Sequence, residues 1–160
     1  MKTINRLVFI LCVVFSTYTY AKNDVAPDFP INMKNQETSL HALSKESWIY
    51  LDFWASWCGP CRYSFPFMNE LQSEFGDKGL KVVTVNVDKE KSLADQFLND
   101  NPANFTVVYD SNGDIASAYK VPAMPTSYLI KNGEIVGIHI GFKTSDKREL
   151  KEQIRALIQP

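Results

Sequence analysis

Histidine and cysteine are scarce in this chain. Its 160 residues include two histidines, His41 and His139, and three cysteines, Cys12, Cys58 and Cys61. A zinc centre needs about four ligands, usually a second CxxC or a pair of spaced histidines. Those are missing, so no metal is expected and neither histidine is assigned a role. There is no basic block and no interleaving of aromatic with basic residues, and the formal net charge is −1. Nothing therefore asks for nucleic acid or an anionic membrane surface. No apolar run reaches the roughly 20 residues that span a bilayer. Internal repeats and low-complexity linkers are also missing. With 45% hydrophobic and 22% charged residues, the chain has the composition of one soluble globular domain. A core of that size stands without metal or disulfide support, so Cys58 and Cys61 are not needed for stability.

The longest apolar run lies at the N-terminus. Lys2 and Arg6 precede the apolar stretch Leu7 to Phe15, and Thr19-Tyr20-Ala21 suits a cut before Lys22. That is the three-part pattern of a secretory signal. Residues 1–21 are expected to be a signal peptide and residues 22–160 the folded domain; an uncut segment would act as an anchor. Leu11 before Cys12 is too bulky for a lipoprotein site. Cleavage removes Cys12, both basic residues and no acid, so the mature chain is more acidic and keeps only Cys58 and Cys61. An exported, periplasmic protein meets an oxidising compartment, where a lone CxxC can stay disulfide-bonded.

Along the mature chain, "NDVAPDFPINM" reads as an irregular lead-in marked by Pro27 and Pro30, and "SLHALSKES" as a short helical turn. "WIYLDFWAS", Trp48 to Ser56, is apolar, aromatic and β-branched over strand length, which predicts a buried central strand. Pro60 suits the first position of a helix, where a missing N–H costs nothing. Cys61, Phe65, Met68, Leu71 and Phe75 then recur on one helical face. Pro66 should kink that helix, and Gly76 and Gly79 should end it. Leu80 to Asp88 is a second strand, "SLADQFLND" a helix, Asn104 to Asp110 a third strand and "IASAYK" a short helix. "TSYLI" and "IVGIHIG" flank Asn132-Gly133, a strong two-residue hairpin signal. "DKRELKEQIRALI" closes as an amphipathic helix with Leu150, Ile154, Leu157 and Ile158 on one side. Alternating strands and helices followed by a hairpin predict an α/β fold: a mixed central sheet with helices on both faces.

In this frame Cys58 sits where the central strand hands over to the helix. Helix N-termini carry partial positive charge and unpaired N–H groups. Both favour thiolate, so the pKa of Cys58 should fall below the free value of about 8.5. Cys61, one turn on and facing the core, is placed to attack a mixed disulfide at Cys58. That makes a dithiol–disulfide exchanger with nucleophile first and resolver second, needing no cofactor. A structural disulfide remains the alternative, but so short a loop closes little entropy.

"DFWASWCGPCR" resembles the active-site segment of thioredoxin: Trp57 before the first cysteine, the Gly59-Pro60 pair, Arg62 after the second cysteine, and Pro66 at the kink. "AMPTSYLI" resembles the family's second signature, a cis-proline followed by threonine, at Met124, Pro125 and Thr126. The helix and strand between Asp88 and Pro125 resemble the insert of exported TlpA/ResA-type thiol–disulfide oxidoreductases, as does "APDFPINM" near the start. The motif "CRxExP" of that group is only partly kept, with Ser64 in place of the glutamate. The resemblance implies a thioredoxin-like fold with an extra helix–strand insert. It also implies a Cys58–Cys61 disulfide and a buried Asp52 that accepts or relays the proton of Cys61. Where thioredoxin pairs that aspartate with a lysine on the next strand, this chain has Thr84, which should push the aspartate pKa further up. Trp57, Gly59, Pro60, Met124, Pro125 and Thr126 should form the substrate-binding surface, with Trp57 either exposed there or packed under the helix. Trp54 should be core, Tyr63 and Phe65 should shape specificity or simply pack, and Gly141 should admit a substrate backbone or merely end a strand.

The Gly-Pro dipeptide bears on direction. Thioredoxin lies near about −270 mV and DsbA near about −120 mV, a gap of about 7 kcal/mol. If the dipeptide sets the potential, this protein reduces protein disulfides. The resemblance then implies a membrane thiol donor of the DsbD/CcdA kind and acceptors such as oxidised apocytochrome c, with the protein a monomer. Two other classes stay open. A thiol peroxidase would need a lone peroxidatic cysteine, and a non-catalytic binding or chaperone module usually loses a cysteine.

Overall fold

The computed structural model describes residues 24–33 and 36–158; the expected signal peptide, residues 1–21, lies outside them. Two short strands, β1 (Pro30–Met33) and β2 (Gln36–Ser39), pair antiparallel and lead into helix α1 (Leu40–Glu46). Ser39 caps α1, its Oγ accepting the Ala42 N–H at 3.2 Å. The order continues as β3 (Trp48–Trp54), α2 (Cys61–Phe75), β4 (Leu80–Asn86), α3 (Lys91–Asp100), β5 (Thr106–Tyr109), α4 (Asp114–Ala118), β6 (Thr126–Lys131), β7 (Glu134–Ile140) and α5 (Lys147–Ile158). The five-stranded sheet runs β5-β4-β3-β6-β7. β3, β4 and β5 are parallel, and β6 and β7 add antiparallel, so the sheet is mixed as the alternation predicts. No helix among the described residues is long and apolar enough to cross a membrane.

Strand periodicity decides the layers. Side chains alternate across a strand, so Tyr50 and Trp54 face one side of β3, and Ile49, Leu51 and Phe53 the other. The first side packs against α2, α3 and α5, through residues such as Phe65, Phe97 and Ile154. The second side is covered by α1, α4 and the β1–β2 hairpin, through Leu40, Ile115 and Ile31. Beneath the start of α2, Trp54, Phe65 and Phe97 meet with ring centroids 4.8 to 4.9 Å apart. The Trp54–Phe65 and Phe65–Phe97 pairs meet edge to face, an arrangement that adds about 0.5–1.5 kcal/mol per pair beyond burial. This is why Phe65 belongs to the core: it is 1% exposed.

Several expectations shift by a residue or more. The lead-in is not wholly irregular, since Pro30–Met33 is a strand. Its proline N lies at the strand start, where a missing donor is tolerated. The helix begins at Cys61 with Pro60 as its N-cap, and continues through Pro66 to Phe75. A turn at Gly76–Lys78 follows, and Gly79 at φ 91° closes it. On α5, Leu150 and Ile154 are buried but Leu157 is 43% exposed.

The β6–β7 turn places Asn132 at φ 53° and Gly133 at φ 77°, the two positive values of a type I′ turn. Gly133 also donates to Ser44 Oγ at 2.8 Å, tying the turn to α1. An added Cβ there would meet the His41 ring at 3.5 Å. Gly133→Ala should lower unfolding free energy by about 1–2 kcal/mol, the cost of a left-handed L-residue. A urea titration reads this out, and disulfide exchange should be unchanged because the turn lies at the opposite end of β6 from Thr126.

Candidate active site

β3 ends at Trp54 and a tight turn follows, in which the Cys58 N–H donates to the Ala55 carbonyl at 3.0 Å. The turn delivers Cys58 to the start of α2. No side chain caps this helix and its first turn holds no acid. The Cys58 sulfur takes the cap acceptor's place: the Cys61 N–H donates to Cys58 Sγ at 3.2 Å. Charge-assisted bonds from backbone N–H groups are stronger than neutral ones, so the contact tightens when this sulfur is a thiolate. Cys58 and Cys61 are disulfide-bonded, with Cα atoms 5.4 Å apart. Cys58 is 4% exposed and Cys61 0%, so of the two only Cys58 reaches the surface at all.

The turn is also held from beneath. Asp88, just after β4 and 3% exposed, accepts the Ser56 N–H and the Ser56 hydroxyl, both at 2.9 Å. Its carboxylate further accepts Asn86 Nδ2 at 2.7 Å, and Asn86 Oδ1 accepts the Asp88 N–H at 3.1 Å. Three donors satisfy a buried charge without a cation. This clamp fixes the residues directly before Cys58 and leaves Trp57 67% exposed, which decides between the two placements open to it. Gly59, Pro60 and Tyr63 are exposed beside it. Arg62 stacks over Phe97 at 5.1 Å, so α3 of the insert borders this surface. Ser64, where the related motif has glutamate, is buried and donates to the Cys61 carbonyl at 3.0 Å.

Asp52 lies in the middle of β3 and is 2% exposed. It faces the same side as Tyr50 and Trp54, the side whose buried cluster includes Cys61. Its strand neighbours are Thr84 on β4 and Ser127 on β6. The Thr84 hydroxyl accepts Trp54 Nε1 at 3.1 Å and donates to the Thr106 carbonyl at 3.4 Å, so it has nothing left to offer the carboxyl. Asp52 Oδ2 has no hydrogen-bond partner among the described residues. Burial alone therefore pushes its pKa well above the usual carboxylate range. The Tyr50 hydroxyl is pushed up as well, first by its own burial and then by the Asp52 charge.

The Met124–Pro125 bond is cis. Thr126 pairs with Phe53, so the antiparallel β6 brings Met124 and Pro125 to the sheet end at which β3 gives way to Cys58. Met124 packs against the cluster that contains both cysteines. Thr126, fully buried, donates to the Ala123 carbonyl at 2.7 Å, and the Gly141 N–H donates to the Pro125 carbonyl at 2.7 Å. Gly141, at φ 80°, thus braces the proline loop from β7. Among the described residues, no backbone partner takes the Met124 N–H or C=O.

The fold thus gathers Cys58, Cys61, Trp57, Gly59, Pro60, Met124, Pro125 and Thr126 at one end of the sheet, with Asp52 behind them. Sequence reasoning missed Asp88, Ser56 and Asn86. Their only signal was a carboxylate closing the apolar strand beside the cysteine strand.

The AhpC/TSA family matches residues 23–138. The thiol–disulfide oxidoreductase ResA of Oceanobacillus iheyensis is 34% identical over 156 residues, 89% of this chain and 81% of that one. A Chlorobium tepidum crystal structure assigned to the thiol:disulfide interchange protein DsbE is 46% identical, with a TM-score of 0.79 over 86% of this chain and 97% of that one. StoA of Bacillus subtilis is 29% identical, with a TM-score of 0.67 over 81% and 98%. The chain therefore belongs to the AhpC/TSA family and, like these relatives, is a thiol–disulfide oxidoreductase on the thioredoxin fold.

Proposed function

We propose that this oxidoreductase is an exported reductase of protein disulfides. The observation that carries the exchange chemistry is the Cys61 N–H donating to Cys58 Sγ at an uncapped helix start, with Cys61 fully buried behind it. In the reduced protein that N–H and the helix dipole favour a Cys58 thiolate. The thiolate attacks one sulfur of a substrate disulfide, and the other substrate sulfur leaves as thiolate. Asp52 takes the proton of Cys61. The Cys61 thiolate then attacks Cys58 Sγ, closing the Cys58–Cys61 bond and expelling the second substrate sulfur. Two electrons pass from the protein to the substrate.

Exposed Trp57, Gly59 and Pro60 on one side and the Met124–Pro125–Thr126 loop on the other frame the approach to Cys58. The Met124 N–H and C=O, without a backbone partner among the described residues, suit an extended substrate backbone added as a short strand. The Gly59-Pro60 dipeptide supports the reducing direction. A DsbD/CcdA-type membrane donor would recharge the dithiol, and oxidised apocytochrome c is one acceptor class. The N-terminal pattern before Lys22 supports export. The paired cysteines speak against a peroxidase built on a lone cysteine.

Cys58→Ser should abolish reduction of a model protein disulfide by dithiothreitol-recharged protein. Cys61→Ser should instead accumulate a mixed disulfide, visible as a mass adduct; free turnover by Cys61→Ser would refute the assignment of roles. The reduction potential should fall nearer about −270 than about −120 mV in a glutathione or dithiothreitol titration. A value near the upper figure would reverse the direction.

Asp52 gives a pH prediction with a definite sign. Its folded pKa lies above its unfolded one, so between the two the native state holds the extra proton. Stability from this group is therefore lost as pH rises from about 4, where the unfolded aspartate titrates, through the raised native pKa. Oxidised Asp52→Asn should melt several degrees above the parent at pH 8, with the difference shrinking toward pH 4. The same substitution should slow the Cys61 step by about a hundredfold, the low end of what positioned proton transfer contributes.

A further inference from the structure

On the reading that Asp52 takes the Cys61 proton, that proton must reach solvent in every cycle. Toward β4 the way is closed, because the Thr84 hydroxyl is committed to Trp54 and Thr106. In the other direction the sheet register continues the line: Asp52 pairs with Ser127, and Ser127 with His139. Paired Cα atoms in antiparallel strands lie about 4.5–5.5 Å apart, so Asp52, Ser127 and His139 form one lateral row on the α5 side of the sheet. Two buried side-chain polar atoms lack a hydrogen-bond partner among the described residues, Asp52 Oδ2 and His139 Nε2. They stand at the two ends of this row. Leaving such atoms unpaired is costly, and each one calls for an explanation.

A cavity supplies one. It has a volume of about 410 Å³ and is lined in part by Tyr50, Ser127, His139, Gln153 and Ile154. Water occupies about 30 Å³ per molecule in the liquid, so a short chain of water molecules fits beside the row. The mouth carries Ile138 and Leu157, which are 60% and 43% exposed. At the outer end His139 Nε2 lies 3.8 Å from Asp146 Oδ2, and both side chains are about a third exposed. Asp52 is faced by Tyr50 on its own strand and shares a cluster face with Cys61. His139 is faced by Asp146, while β4, β6 and the cavity side of α5 present no charged group.

We propose that Ser127 and His139, with water in the α5-roofed cavity, form the proton route between Asp52 and solvent. Asp52 receives the proton of the Cys61 thiol as Cys61 closes on Cys58 Sγ. To be free to receive it, Asp52 has first given up its own proton by way of the Ser127 hydroxyl to His139 Nε2, so a blocked route leaves Cys61 without a base and delays the second release. The imidazolium, held beside Asp146, releases it to bulk water. No electrons move along this route, and the disulfide chemistry stays at Cys58 and Cys61.

Ellman's reagent isolates the step. Reduced protein releases one thionitrobenzoate when Cys58 attacks and a second when Cys61 resolves. In stopped flow, His139→Ala should slow the second release on the order of tenfold, less than the hundredfold of the group that takes the proton itself. Added imidazole should restore it. Ser127→Ala should slow the second release likewise and Ser127→Thr, which keeps the hydroxyl, should not; the first release should be normal in all three. If Asp52→Asn slows the second release but His139→Ala and Ser127→Ala do not at any pH, the route is wrong and Asp52 stands. If His139→Ala slows it without imidazole rescue and also lowers the melting temperature, His139 is structural and the route is again overturned. If Asp52→Asn leaves the second release unchanged, the underlying reading of Asp52 fails instead.

Discussion

The chemistry of this protein depends on a helix that begins without a cap. The first N–H groups of any helix lack internal partners and need an acceptor. Serine, threonine, aspartate or asparagine usually supplies one. Here the acceptor is the sulfur of Cys58, three residues before the turn closes. The helix start therefore stabilises whatever negative charge develops on that sulfur, and the sulfur's partner, Cys61, is fixed by the same turn. An ordinary capping side chain would compete for the same N–H groups and weaken that bias.

The rest of the architecture holds this arrangement steady. The Asp88 carboxylate clamps Ser56, so the turn before Cys58 cannot drift. The Trp54, Phe65 and Phe97 cluster packs the first turns of α2 onto the sheet. From the far side, Gly141 braces the Pro125 carbonyl, so the loop opposite the cysteines is tied to the edge strand. The two carboxylates near the cysteines live under opposite conditions. Asp88 is buried but accepts three donors, whereas burial pushes the proton affinity of Asp52 up with no donor at Oδ2 to compensate. One carboxylate is tied into the turn before Cys58, and the other is buried with Oδ2 unpartnered among the described residues.

Most of the fold was legible because its signals are local. A buried aromatic strand, a proline just before the helix, Asn-Gly at the hairpin and alternating strands and helices each speak through a few neighbouring residues. The short β1–β2 pairing was not legible: Pro27 and Pro30 read as loop, and only packing of Ile31 into the α1-side core makes the segment a strand.

The amino-acid order by itself determined the reacting pair, its place at a strand-to-helix junction and the burial of Asp52. These follow from spacing and from a carboxylate set inside an apolar strand. Only the tertiary structure decided what stands around them. Trp57 turns outward because Asp88, 32 positions from Ser56 along the chain, holds the turn. Asp52 faces Ser127 because β3 and β6, far apart in sequence, fall into register. Register between distant strands is a global packing outcome, and no local pattern in the chain encodes it.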